Sequence, residues 1–305
     1  MKIKSFNLVK QQKRIWFLSS ALLIISISGI LFSSFYSPIK KPINLGMDFL
    51  GGTEIRVERI CSDEGCSIET ADEIVNSLRE VSEDKITLNK IRLQIQNDNK
   101  IISLKVPFLN VEQTSNLIKN LDKVLPLNSE TQDSRSIGPL LGKTLLIKGA
   151  RSLLVALVAI AIYISIRFDK KYALLALFAL FHDLLIVFGI FSWLGIILSV
   201  QVNSLFAVSL LTIAGYSVND TVVIFDRIRE NLKSSKQDYN EIIQLSVNES
   251  FRRTTFTSIT TLIPLLTLIL FGSYSLFWFS LSLSLGIIVG SYSSILLAPS
   301  FLIKD

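Results

Sequence analysis

The chain has 305 residues, half of them hydrophobic and only 18% charged. That composition belongs to a polytopic membrane protein and excludes an ordinary soluble enzyme. The formal net charge of +6 invites a nucleic-acid reading, but residues 37–151 hold sixteen basic and sixteen acidic side chains, so the excess lies entirely in the membrane-flanking segments. Basic residues beside apolar runs are the signature of cytoplasmic membrane boundaries, and no nucleic-acid partner is expected.

Five Lys/Arg lie in the first fourteen residues, and 22 uncharged residues follow from Ile15 to Tyr36. That run is longer than the apolar core of a signal peptide and ends without a small-residue cleavage site, so it reads as a retained membrane helix. Residues 37–143 then read as a folded domain. INLGMDFLGGTEIRVERI is expected to be extended, interrupted at Gly51-Gly52, with a strand over 53–60. Residues 69–82 have helical periodicity with Ile74, Leu78 and Val81 on one face. Strands are expected at 90–96 and 101–106, joined by Asn97-Asp98-Asn99. A second helix over 110–125 has Asn110 as its cap and Pro126 as its stop. With a last short strand near 131–137, the order β-α-β-β-α-β predicts a ferredoxin-like α+β domain. Cys61 and Cys66 lie in it, either as a disulfide in an oxidising compartment or as two thiols.

Five further apolar segments are expected near 145–166, 172–198, 203–225, 254–272 and 276–299, with a cytoplasmic loop over 226–253. Lys148 and Arg151 fall near the start of the first of these, where long basic side chains can reach the interface. The N-terminal tail carries five basic residues, the 167–171 loop three and residues 226–253 six, whereas the alternate loops near 199–202 and 272–275 carry none. Both termini are therefore expected on the cytoplasmic side, and the α+β domain on the other.

Three polar sets stand inside these apolar runs. Ser209, Thr212, Tyr216 and Asn219 or Asp220 fall along one helical face, and Asp220 lies about 10 Å inward of Arg227 at 1.5 Å per residue. His182-Asp183 sits about 18 Å from Lys171 by the same rise, near the bilayer midplane. Arg252-Arg253 opens TTFTSITT, where Thr254, Ser258 and Thr261 share a face and Arg253 is placed to pair with a carboxylate on a neighbouring helix. A carboxylate at membrane depth is costly and reads as functional, although an Asp-Arg pair can also be structural glue between helices. Burial favours the neutral form of such a carboxylate and a nearby cation favours the charged form, so it can alternate between protonated and arginine-paired states. The Gly286-x-x-x-Gly290 spacing reads as close helix packing. The sequence offers no nucleophile triad, phosphate loop or metal-ligand cluster, so neither covalent catalysis nor a cofactor or metal is expected.

Taken together, GMDFLGGT at 46–53, SIGPLLG at 136–142, HD at 182–183, GYSVNDTVVIFDRIREN at 215–231, RTTFTSITT at 253–261 and the terminal GSYSSILLAPSFL resemble the SecF family of membrane subunits. The resemblance spans nearly the whole chain. It implies six transmembrane helices in an RND-like arrangement with one exported domain between the first and second. It implies a non-enzymatic role in the bacterial inner membrane, in which the family uses the proton gradient with a SecD-like partner to assist late steps of preprotein export through the SecYEG channel. The family's proton-linked aspartate falls on Asp220 and its partner arginine on Arg253, with Tyr216 and Asn219 as neighbours and His182 and Asp183 as further relay residues. By the same resemblance Gly46, Asp48, Gly51, Gly52 and Thr53 of GMDFLGGT are motif positions. An independent RND-type exporter and a structural subunit without proton coupling are the competing readings.

Overall fold

The computed structural model describes residues 7–61, 70–81, 92–96, 100–235 and 237–303. It divides into two compact units, one formed by residues up to Asn44 together with those from Gly149 onward, the other by Leu45–Lys148.

The smaller unit begins with one helical turn, α1 having already spanned Leu8–Phe35 in the other unit. This turn, α2 (Met47–Leu50), corrects the expectation of an extended segment. Gly51 supplies the reason: at φ +78° it lets its N–H close the turn on Met47 O at 2.8 Å, a conformation that residues with a Cβ rarely adopt. There follow β1 (Gly52–Arg59), α3 (Ala71–Val81), β2 (Arg92–Gln96), β3 (Ile101–Val106), α4 (Val111–Val124) and β4 (Leu127–Ile137). The four strands form an antiparallel sheet in the order β2-β3-β1-β4, the ferredoxin-like topology expected from the element order. Alternation along β1 buries Ile55 and Val57, which share a core with Leu104 of β3, Ile74 and Leu78 of α3 and Leu121 of α4. Val81 turns outward at 40% exposure, and Val75 takes the inner position expected for it. Asn110 caps α4 as expected, completed into a reciprocal box with Gln113. β4 is longer than the expected 131–137. The Asn97-Asp98-Asn99 turn and Cys66 lie outside the described residues.

The larger unit is helical. After α1 it contains the later part of α5 (Pro139–Arg167), then α6 (Lys170–Ile197), α7 (Ser204–Ser234), α8 (Tyr239–Phe271) and α9 (Tyr274–Tyr292). A π-helical turn at Ser293–Leu297 and a short α10 (Ala298–Ser300) continue α9. Six helices among the described residues are long and apolar enough to cross a membrane. In hydrocarbon a backbone N–H has no water to bond, so an apolar run of this length satisfies itself only as a helix. Asn203 and Asp238 cap α7 and α8 by accepting from Phe206 N and Asn240 N.

Residues 226–253, expected as a loop, are helical apart from a short connection between Ser234 and Tyr239, because α7 and α8 both run on past their apolar parts. The extensions are amphipathic: Ile228 of α7 and Ile242, Ile243 and Val247 of α8 are buried, and Asn231 Nδ2 donates to Ser246 Oγ at 2.9 Å across the pair. A polar segment that can bury one apolar stripe against a neighbour gains more as helix than as loop. α1 crosses α6 where small residues allow close approach. A Cβ on Gly189 would collide with Ser26, and one on Gly29 would meet the Trp193 indole, whose Nε1 donates to Ile25 O at 2.9 Å.

Candidate functional site

Asp183 and His182 sit in the middle of α6, a helix otherwise so apolar that only tertiary partners can satisfy them. Both side chains are fully buried, and His182 Nδ1 lies 2.9 Å from Asp183 Oδ1. Ser217 of α7 and Ser293 of the π-helical turn each donate a hydroxyl to Asp183 Oδ2, at 2.6 Å in both cases. The π turn makes this possible. Successive residues of a regular helix point about 100° apart, yet Ser293 and Ser294 both reach inward. Ser294 Oγ meets Thr221 Oγ1 at 2.8 Å and bonds Ser217 O at 3.2 Å, which ties the turn to α7. Single-turn π-helix within an α-helix is found frequently at functional sites. Gly290 packs beside the pair: a Cβ there would stand in ordinary contact, 3.5 Å from Asp183 Oδ2 and 3.4 Å from Ser217 Cβ.

His182 Nε2 is buried without a hydrogen-bond partner among the described residues. The neutral ring with its hydrogen on Nδ1 leaves only a bare lone pair at Nε2, which costs less than a buried N–H with no acceptor.

Asp220 lies on the same helix as Ser217, three residues on, and is 3% exposed. Its Oδ2 is buried and has no hydrogen-bond partner among the described residues. The field of Arg253 reaches it, but no ion pair within 4.0 Å forms between the two. Arg253 instead stands exposed on α8, lining a cleft between α7 and α8, while its neighbour Arg252 stacks over the Phe256 ring at 5.7 Å. Tyr216 donates its hydroxyl to Ser258 Oγ of α8 at 3.0 Å, and Ser258 in turn meets Ser291 Oγ at 2.6 Å. Tyr216 therefore serves the α8–α9 seam, not Asp220. Asn219 and Thr212 face outward, so the buried polar stripe of α7 is Ser209, Ser217, Asp220 and Thr221. Ser209 is joined across the helices by Ser282 Oγ at 2.7 Å.

Ser217, Thr221, Ser293 and Ser294 are the site residues that sequence reasoning missed. Their signal was the 217/221 spacing of four in α7 and the SYSS run in the last helix. Hydroxyls in apolar helices commonly bond their own carbonyls, which masks those that bond a neighbour.

The glycine motif lies in the smaller unit and is explained by close backbone packing there. Gly46 O accepts from Phe49 N and Leu50 N, both at 3.1 Å, and Asp48 stands in the first turn of α2. A Cβ on Gly51 would lie 2.8 Å from Pro139 Cα, and one on Gly142 would lie 2.8 Å from Gly51 N. GMDFLGGT and SIGPLLG, far apart in sequence, are thus two halves of one contact. Gly52, at φ +151°, starts β1. Thr53 Oγ1 accepts from Leu109 N at 2.9 Å and meets Ser136 Oγ at 2.8 Å. Cys61 follows β1, and the choice between a disulfide with Cys66 and two thiols involves a residue outside those described.

Two family models match: the C-terminal part of the SecD/SecF protein export membrane proteins over residues 116–304, and the SecD/SecF GG motif over residues 36–58. The chain is 46% identical over 303 residues to the protein translocase subunit SecF of Prochlorococcus marinus, covering 98% of this chain and 94% of that protein. It is 38% identical over 299 residues to the Synechocystis protein of the same name, covering 96% and 92%. Among solved structures it is similar to the crystal structure of SecDF, a translocon-associated membrane protein from Thermus thermophilus. The TM-score is 0.79 at 29% identity, over 98% of this chain and 38% of that one.

Proposed function

Because the chain belongs to the SecF family of protein translocase subunits, we propose that it couples the proton motive force to late steps of preprotein translocation, working beside a SecD-like subunit at the SecYEG channel of the bacterial inner membrane. The subunit changes conformations and makes or breaks no covalent bond. The observation that carries this reading is the pair of buried carboxylates on adjacent helices, one of them, Asp220, with a buried oxygen left unpartnered among the described residues. An unsatisfied carboxylate inside apolar helices is a stability cost that a purely structural subunit has no reason to keep. Protonated, Asp220 is neutral and fits its surroundings; ionised, it draws the Arg253 guanidinium toward it. Moving one charge across the membrane potential is worth about 2.3 kcal/mol per 100 mV, enough to bias two helix arrangements.

Two observations support a SecD-like partner. The chain accounts for 38% of the length of the similar SecDF chain, so a second subunit would supply the remainder. None of the most apolar 18-residue window of α5 is buried within this chain, which leaves that helix open to a partner or to lipid. The basic flanks support a cytoplasmic position for both termini.

The test is preprotein translocation in membrane vesicles carrying Asp220→Asn with the partner subunit present. Loss of the proton-dependent share of export is expected, with the ATP-driven share intact. If the proton-dependent share were unchanged, Asp220 would not be the coupling group and the structural reading would stand.

A further inference from the structure

The cleft between α7 and α8 has a volume of about 460 Å³ and is lined by Asp226, Arg227 and Glu230 from one helix and Glu249 and Arg253 from the other, with Val223 at its inner end. Asp220, Val223, Arg227 and Glu230 are spaced i, i+3, i+7 and i+10, so they share one face of α7, and the buried carboxylate lies one turn inward of the cleft. Three carboxylates and two guanidiniums line this space, and their pairing is lopsided. Asp226 is engaged from elsewhere, by Arg167 at 2.6 Å and Arg229 at 3.9 Å. Arg227 takes both glutamates, Glu249 at 2.7 Å and Glu230 at 2.6 Å. Asn231 Nδ2 adds a second donor to the same Glu249 oxygen at 2.9 Å. The Arg253 guanidinium is left without a carboxylate among the described residues.

That outcome runs against local preference. Glu249 and Arg253 stand four apart on α8 with the acid on the N-terminal side, the arrangement in which a helix pairs them most readily. Glu249 is diverted across the cleft instead. We propose that Arg227 and Asn231 are positioning residues for the Asp220–Arg253 couple: by holding Glu249, they stop it from neutralising Arg253 and keep that guanidinium available to the buried carboxylate.

The inference rests on the proton-coupling role proposed for Asp220, and the test separates the two. Vesicles containing the chain with its partner subunit are compared as wild type, Arg227→Gln, Glu249→Gln, the double variant and Asp220→Asn, reading the proton-dependent share of preprotein translocation. Arg227→Gln is expected to lower that share by about two- to fivefold, the range over which one partly exposed ion pair shifts an equilibrium. Glu249→Gln removes only the competitor and retains coupling, and adding it to Arg227→Gln restores coupling. Asn231→Leu gives the same pattern: loss alone, recovery with Glu249→Gln. A tie that merely holds α7 to α8 would behave in the opposite way, with Glu249→Gln as damaging as Arg227→Gln and no recovery in the double variant; that result overturns the positioning role. If Asp220→Asn abolishes coupling while the rescue fails, this inference falls alone. If Asp220→Asn changes nothing, the coupling role and this inference fall together.

Discussion

The two buried carboxylates respond oppositely to removal of their charge, because one is fully partnered and the other is not. Replacing Asp183 by Leu keeps the branch at Cγ but removes the acceptors of three contacts, at 2.9, 2.6 and 2.6 Å. Ser293 loses least, since its hydroxyl also reaches Gly290 O at 3.0 Å. Ser217 must turn to its own helix, and His182, whose Nε2 already lacks a partner among the described residues, loses its one bond at Nδ1 as well. Hydrogen bonds between membrane helices are worth about 0.6 kcal/mol on average and up to about 1.7 kcal/mol, and a buried polar group left unmatched costs about 1–3 kcal/mol. The sum for Asp183→Leu is about 2–4 kcal/mol, a fall in melting temperature of about 5–15 °C for a unit of this size. Asp183→Asn keeps one acceptor and gains an amide that can donate to a serine, so its loss is about 1 kcal/mol. Asp220→Leu is expected to leave the melting temperature unchanged or to raise it, since replacing a poorly partnered buried charge by an apolar group is neutral to stabilising. Thermal unfolding of the purified chain in detergent, followed by tryptophan fluorescence, measures all three. Equal destabilisation by Asp183→Leu and Asp220→Leu, or no loss with the former, would refute the assignment of Asp183 as the partnered group and Asp220 as the strained one.

Two further outcomes follow from the glycine contacts. Gly51→Ala meets both a positive φ of 78° and the Pro139 backbone at 2.8 Å, so it should destabilise the smaller unit by about 1–3 kcal/mol; the midpoint of its denaturant unfolding would show it, whereas Gly138→Ala, with open space around its Cβ, should be mild. Gly189→Leu drives a side chain into Ser26 of α1 and should separate α1 from α6, seen as faster cleavage by a protease site placed in the 36–44 connection and as a lower melting temperature.

Much of the architecture was legible in the sequence because its causes are local. Apolar runs of bilayer length must be helices, and periods of two and 3.6 residues separate strands from amphipathic helices, so six crossings and a βαββαβ unit followed directly. The misreadings have equally definite causes. Met47–Leu50 looked extended because four residues carry too little periodicity to show a turn, and only the positive φ of Gly51 closes it. The polar ends of α7 and α8 looked like loop because each becomes a stable helix only by burying its apolar stripe against the other. At the site, the identity of the costly groups was readable from hydropathy alone: Asp183 and Asp220 stand out wherever they end up. What they touch was not readable. The hydroxyls on Asp183 come from two separate stretches of chain, α7 and the π-helical turn, and Glu249, four residues before Arg253 on its own helix, is held across the cleft by Arg227 and Asn231. Hydrophobicity is a property each residue carries with it, so the sequence alone determined which segments enter the membrane and which charges are out of place there. Pairing is a competition among groups that only packing brings within reach, so the tertiary structure decided which carboxylate is satisfied and which has a buried oxygen without a partner among the described residues.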